Sequence, residues 1–170
     1  MTASLVKTLI FTVLVPGTVC VYIPYRLRAQ GPQIIPPVGW LGILPILAGF
    51  AIYLWCAWDF ATAGRGTPAP FDAPRRLVAR GLYRWVRNPM YCGVLLMVFG
   101  QALLFWSRPT LWYGIAAALA FHLMVVIYEE PVLGHKFGES YRQYRHQVSR
   151  WLPKRPQQQP KPGAARAQAR

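Results

Sequence analysis

The sequence is poor in charged residues, and acidic residues are the scarcest among them. Charged side chains make up 14% of the 170 residues, with 5 Asp or Glu against 19 Lys or Arg, whereas hydrophobic residues reach 54%. Soluble domains carry about 25% charged residues, so this composition is unusual for a soluble protein. The length leaves room for one domain.

Cysteine is also scarce, since the chain holds 3 of them. Cys20, Cys56 and Cys92 lie within or at the edge of apolar stretches, and their spacing matches neither a metal site nor a disulfide framework. We therefore expect small residues of the protein interior and no bound metal. The sequence shows no internal repeat.

Long apolar runs account for the hydrophobic composition. They cover residues 5–26, 38–60, 89–106 and 109–129. A bilayer core requires about 20 apolar residues in a helix, with about 17 as a lower limit, so all of these runs qualify, the third barely. The sequence therefore predicts an all-α integral membrane protein with about four transmembrane helices. A signal peptide is less favoured, because apolar residues continue through Ile23.

The basic residues are distributed unevenly around these runs. With four spans, 16 of the 19 Lys and Arg residues fall on one side of the membrane and 3 on the other. The richer side comprises the N-terminus, the loop 61–88 and the chain after Glu129. This bias predicts that both termini and the long loop are cytoplasmic, at a bacterial inner membrane. Membrane topology thus explains the net charge of +14 without nucleic-acid binding. Arg80 and Arg84 are interpreted as residues that set this topology.

Apolar residues recur at helical spacing after the fourth run, and Pro131 suits the first turn of a new helix. The recurring positions are Leu133, Phe137, Tyr141, Tyr144 and Val148. This pattern predicts a C-terminal amphipathic helix at the membrane interface, with Tyr141 and Tyr144 as interfacial anchors rather than ligands. Residues 153–170 lack apolar periodicity and are predicted to form a basic, disordered cytoplasmic tail.

Two segments carry more polar chemistry than membrane anchoring requires. The first, GLYRWVRNPMYCG at residues 81–93, combines arginines, an Asn-Pro pair and tyrosines before the third run. The second places Glu129 and Glu130 after the fourth run, at an expected helix C-terminus, where carboxylates oppose the helix dipole. His122 lies seven residues before Glu129, on the same predicted helix face. Such residues near a membrane core are usually functional, although glutamates in water, paired with loop arginines, are the alternative.

Together the two segments resemble the isoprenylcysteine carboxyl methyltransferase family and, more loosely, the membrane phospholipid methyltransferases. The family pattern of Leu-Val, Gly-x-Tyr and Arg-His/Asn-Pro-x-Tyr-x-Gly is matched between Leu77 and Gly93. A Glu-Glu pair and Phe-Gly-x-x-Tyr-x-x-Tyr follow between Glu129 and Tyr144. The resemblance implies a membrane methyltransferase that uses S-adenosylmethionine. Its acceptor would be lipophilic: an isoprenoid, a prenylcysteine-like molecule or a phospholipid.

The resemblance also implies a cofactor site formed by residues 74–93 and 122–144 within a methyltransferase domain of residues 1–152. The positions that match cofactor contacts are Arg75, Arg76, Leu77, Val78, Tyr83, Asn88, Pro89, Met90, Tyr91 and Glu129. The candidates for a catalytic role are Asn88, Tyr91, His122 and Glu130. Carboxylates, aromatic faces and free amides suit a sulfonium donor with an amino-acid head, a ribose and an adenine. His122, Glu130 and Tyr83 are the alternatives for a general base.

Two positions depart from the family pattern. Asn88 stands where many relatives have a histidine, which removes a titrating group. Val125 stands where the eukaryotic prenylcysteine enzymes have an arginine to which the resemblance gives a substrate role, so an acceptor without an essential anion is favoured.

Two other classes of function remain open: a catalytically silent membrane scaffold, and a small transporter with a proton relay through His122 and the glutamates. The bilayer and a lipophilic acceptor are the expected partners, and the sequence indicates no obligate protein partner.

Overall fold

The structure is a computed structural model, and it describes residues 14–28, 35–60, 62, 77 and 79–154. Within these ranges the regular elements are all helical, and the one bridge, between Val86 and Ser149, is isolated. The first helical stretch contains a π-helical segment, Thr18–Tyr22, followed by α1 (Ile23–Arg28). The start of the first predicted span and the predicted tail beyond Lys154 lie outside the described residues.

Four longer helices follow, and two of them begin with a proline in a first turn that no helix directly precedes, at Pro89 and at Pro109. The four are α2 (Ile43–Asp59), α3 (Pro89–Leu104), α4 (Arg108–Met124) and α5 (Glu130–Gln147). A 3-10 helix, Pro37–Gly42, leads into α2, and another, Gly81–Arg84, precedes α3. Proline suits a first helical turn because the amide it lacks would have no partner there. Ser107 caps α4, since its hydroxyl accepts a hydrogen bond from the amide of Thr110 at 3.3 Å.

Two of the described helices are long and apolar enough to cross a membrane. They are Pro37–Asp59, with 23 residues, and Arg108–Phe137, with 30 residues; α3 is apolar but has 16 residues. Large apolar side chains project from them into the surroundings, among them Leu44, Leu47, Leu54, Trp112 and Leu119. Exposed apolar surface of this extent fits contact with lipid. The predicted all-α fold is confirmed for the described residues, and the two long apolar helices are consistent with a membrane protein, whereas the number of four spans stays a prediction.

Small residues bring α2 and α3 into backbone contact. A Cβ atom at Gly93 would lie 2.8 Å from the carbonyl oxygen of Gly49, and a Cβ atom at Gly100 would lie 2.8 Å from that of Gly42. Real side chains do not tolerate such contacts, so glycine is required at these positions. Close approach of this kind is typical of helix pairs in membranes. The contact fixes α3, whose N-terminal end carries the first motif.

The helix of the fourth predicted span continues past the glutamate pair. From α4 the chain continues through a π-helical segment, Val125–Glu129, directly into α5. Glu129 and Glu130 therefore lie inside a continuous helix, and the prediction that they stand at a helix C-terminus was wrong. Pro131 cannot supply the amide that an α-helix would bond to an earlier carbonyl, and the wide π turn before it accommodates this loss.

Helix α5 is itself interrupted at Gly138, whose backbone angles are φ 53° and ψ −124°. Side-chain-bearing residues rarely adopt this conformation, which glycine permits. Beyond the break, Tyr141 and Val148 are buried, and the Tyr144 hydroxyl donates to the carbonyl oxygen of Tyr83 at 2.7 Å. The prediction that Tyr141 and Tyr144 are interfacial anchors was wrong, because both pack against the protein.

Candidate active site

The two motif segments meet at the N-terminal end of α3. Asn88 is the residue that precedes the helix, Pro89 is its first residue, and Tyr91 lies in the first turn. The π-helical segment that ends at Glu129 faces this turn, and the Tyr91 hydroxyl donates a hydrogen bond to Oε1 of Glu129. The Tyr91 ring also packs on Phe121, with 4.7 Å between ring centroids. A side chain of the first predicted motif is therefore in direct contact with a side chain of the second.

The two adjacent glutamates have different partners. Glu130 is 6% exposed, and its carboxylate accepts hydrogen bonds from Arg87 at 3.0 Å and from Arg150 at 2.6 and 3.1 Å. A third guanidinium, that of Arg145, lies 3.4 Å away. Among the ion pairs of the described residues none includes Glu129, whose carboxylate is bonded to Tyr91. Glu129 is therefore the carboxylate of the pair that can balance a cation from outside the chain.

A segment from the C-terminal side crosses this end of α3. We call residues 148–154 the C-terminal strap. The amide of Arg87 donates to the carbonyl of Ser149 at 2.8 Å, and the amide of Lys154 donates to the carbonyl of Trp85 at 2.9 Å. These bonds hold the strap alongside the chain that leads into α3.

Two predicted catalytic residues bond to the strap. The Asn88 side chain donates to the carbonyl oxygen of Arg150 at 3.1 Å and makes no capping bond to the first turn of α3. The Trp151 indole N–H donates to Nδ1 of His122 at 3.1 Å, so this nitrogen is occupied. His122 and Glu129 thus have different partners, and the wide π turn between them changes the register on which their predicted common face depended.

Tyr83 and Met90 contribute more to the interior than to an open surface. Tyr83 is 7% exposed and makes an edge contact with the Phe60 ring, with centroids 5.6 Å apart. Burial raises the pKa of Tyr83, so its hydroxyl stays protonated at neutral pH and is poorly suited to be a general base. Met90 packs against the buried cluster around Tyr53 and against the one around Cys56.

The remaining predicted cofactor positions lie before this site. Arg75, Arg76 and Val78 are outside the described residues, and Leu77 is partly buried. The structure thus brings together the predicted positions at the start of α3 and Glu129.

Sequence reasoning missed three residues that build the site. Asp59, 6% exposed at the end of α2, accepts a hydrogen bond from Arg80 at 3.0 Å and so ties α2 to the turn before α3. A lone acidic residue at the end of an apolar run was the available signal. Arg150 and Trp151 gave no sign of a role in the sequence. They lie in a basic stretch, and membrane topology already accounted for its positive charge.

Comparison with known proteins shows partial similarity to proteins named as methyltransferases. A methanethiol S-methyltransferase of Bradyrhizobium diazoefficiens is 33% identical over 91 residues, which cover 51% of this chain and 27% of that protein. A methanethiol S-methyltransferase of Mycobacterium tuberculosis is 34% identical over 76 residues, covering 42% and 28%. Protein-S-isoprenylcysteine O-methyltransferase A of Arabidopsis thaliana is 30% identical over 83 residues, covering 49% and 42%. The matched regions thus span less than half the length of each relative.

These relatives are named as methyltransferases, and two described helices of this chain are long and apolar enough to cross a membrane. The pattern of the phospholipid methyltransferase family matches residues 38–140, more than half of the chain. The chain belongs to the phospholipid methyltransferase family. This match confirms the predicted resemblance.

Proposed function

We propose that the protein transfers a methyl group from S-adenosylmethionine to a small lipophilic acceptor at the cytoplasmic surface of the membrane. The observation that carries this proposal is the contrast between the adjacent glutamates. Glu130 has three arginine partners, whereas Glu129 has none among the described residues. The donor is a cation with an ammonium group, and both positive centres favour a carboxylate such as Glu129.

The residues around Glu129 fit the other parts of the donor. The side chain of Asn88 does not cap α3, so the amides of Met90 and Tyr91 in the first turn are suited to donate hydrogen bonds to a carboxylate, which the helix dipole also favours. The Tyr91 and Phe121 rings supply aromatic faces. When bound, the donor supplies a methyl group on a sulfonium sulfur. The chain's contribution is to hold donor and acceptor in line, and positioning of this kind can provide much of a rate enhancement.

The site offers an acceptor little help in losing a proton. Nδ1 of His122 is bonded to Trp151, Glu130 is surrounded by guanidinium groups, and Tyr83 is protonated. This favours a nucleophile that is already reactive near neutral pH, and a thiol meets that condition better than an alcohol. Two of the relatives are named for S-methylation of methanethiol, in agreement with a sulfur acceptor.

Val125 supports an acceptor without a carboxylate. It replaces the arginine of the prenylcysteine enzymes, and it is 1% exposed, packed inside the protein. An arginine at this position would place a guanidinium where a valine side chain is now fully buried, so Val125→Arg is expected to destabilise the protein rather than to create a carboxylate site. We therefore place a small thiol ahead of a prenylcysteine carboxylate as acceptor.

Incubation of the purified protein with methyl-labelled S-adenosylmethionine tests the proposal. Parallel reactions contain a short alkyl thiol, a prenylcysteine analogue or a total lipid extract. We expect label to move to the thiol. Absence of donor binding would contradict the methyltransferase proposal as a whole. Transfer to the prenylcysteine carboxylate alone would contradict the choice of acceptor while leaving the enzyme class in place.

We also propose four spans with both termini cytoplasmic, in a bacterial inner membrane, supported by the distribution of 16 and 3 basic residues. Single cysteines in a background without the native ones test this orientation. Asp72→Cys, in the long loop, should resist an impermeant thiol reagent added outside intact cells. Arg108→Cys, at the turn between α3 and α4, should react with it. The reverse pattern would overturn the orientation.

A further inference from the structure

We propose that the C-terminal strap positions the donor site, with Arg150 and Trp151 as its positioning residues. The proposal rests on the function proposed above, because it concerns the same end of α3. The strap supplies none of the residues of the two motifs, yet it bonds to side chains on both sides of the Tyr91–Glu129 pair.

Arg150 links the two motifs through a single residue. Its guanidinium donates from Nε and Nη2 to the two oxygens of Glu130, at 2.6 and 3.1 Å, while its carbonyl accepts from Asn88 at 3.1 Å. The guanidinium holds Glu130, the neighbour of Glu129, and the carbonyl holds Asn88, the residue before α3. A two-point bond from a planar guanidinium fixes orientation as well as distance. Arg150 thereby sets how Glu129 stands relative to the first turn of α3.

Trp151 ties the strap to the helix that carries the second motif. Its indole N–H donates to His122 on α4 at 3.1 Å, and its carbonyl oxygen lies 3.9 Å from Sγ of Cys92 on α3. One residue therefore contacts both helices that flank the Tyr91–Glu129 pair. His122 is by this geometry a point of attachment for the strap.

The backbone hydrogen bonds of the strap lie at the same end of α3. They join Arg87 to Ser149 and Trp85 to Lys154, immediately before Asn88. A donor held by first-turn amides and by Glu129 requires these groups at fixed separation, since small displacements of binding groups cost much of the benefit of positioning. Loosening the strap should thus weaken donor binding through the site residues to which the Arg150 and Trp151 side chains bond.

The test compares Arg150→Gln, Arg150→Lys and Trp151→Phe with Arg142→Gln as matched control. Arg142 pairs with Glu139 at 3.6 Å on an exposed surface of α5, away from the strap. Three quantities are measured: the donor Kd, the KM and kcat of methyl transfer, and hydrogen exchange of the amides in residues 85–92. Circular dichroism checks that each variant retains its helix content.

We expect Arg150→Gln to raise the donor Kd and KM about tenfold, with a smaller effect on kcat and faster exchange in residues 85–92. Arg150→Lys should recover part of the affinity, because the charge remains while the two-point bond is lost. Trp151→Phe keeps the packing, loses the indole N–H and should act in the same direction more weakly. Arg142→Gln should leave all three quantities at the wild-type values.

The outcomes separate the two proposals. Faster exchange in residues 85–92 with a wild-type donor Kd would overturn the positioning role and leave the proposed function standing. Unchanged exchange in both Arg150→Gln and Trp151→Phe would show that the strap does not hold this end of α3. A wild-type protein that binds no donor would overturn the proposed function itself, and with it the inference about the strap.

Discussion

Replacing Glu129 with glutamine is expected to weaken S-adenosylmethionine binding by about ten- to a hundredfold while the fold stays intact. Loss of a hydrogen bond to a charged group costs about 1.5–3 kcal/mol, which corresponds to this range. The fold should tolerate the change because Glu129 has no ion pair among the described residues, and an amide oxygen can still accept from Tyr91. Calorimetric titration of the donor into the purified variant provides the measurement.

Glu139→Gln serves as the matched control for this variant. Glu139 makes an exposed pair with Arg142 one helical turn away and does not contact the site. Its removal should leave donor affinity at the wild-type value. Tyr91→Phe, which removes the hydroxyl that orients Glu129, should weaken binding in the same direction. Wild-type affinity in Glu129→Gln would remove the central assignment of the site.

Replacing Glu130 with glutamine is expected to have a different effect, a loss of about 3–5 kcal/mol in the free energy of unfolding. The carboxylate is 6% exposed and balances the guanidinium groups of Arg87, Arg145 and Arg150. Without it, three positive charges remain close together, and the Arg87 side chain is just 11% exposed. Thermal unfolding in detergent, followed by circular dichroism, measures the loss.

The same variant decides between a structural and a catalytic role for Glu130. A structural role predicts that turnover persists at temperatures well below the lowered unfolding transition. A catalytic base predicts the opposite, lost turnover in a protein of wild-type stability. That second result would return Glu130 to the list of catalytic candidates and would also weaken the case for the strap, whose main anchor it is.

Two of the predicted apolar runs coincide with helices of the structure, because apolar runs of this length leave few alternatives. The run 38–60 corresponds to Pro37–Asp59, and the run 89–106 to α3. The end of the fourth run was the exception. A glutamate pair followed by proline is typical of a helix boundary, and composition did not reveal that a π turn would carry the helix past Pro131.

The candidate site was predictable where a residue's role depends on its own motif. Asn88 and Tyr91 were expected at the start of the third helix, and they lie there. The different surroundings of Glu129 and Glu130 were not predictable, because neighbours in a helix point in different directions and their partners come from distant parts of the chain. Arg150 is 20 residues from Glu130, and Arg87 is 43 residues away.

By itself the sequence determined the helical membrane class, the family and the two segments that carry the chemistry. These depend on composition, local periodicity and residue spacing, all of which are encoded along the chain. Only the tertiary structure decided which glutamate is held by arginines, that Tyr91 meets Glu129, and that Arg150 and Trp151 belong to the site. Hydrogen bonds and ion pairs act over a few ångströms in space, so residues far apart in sequence acquire their roles when the helices pack.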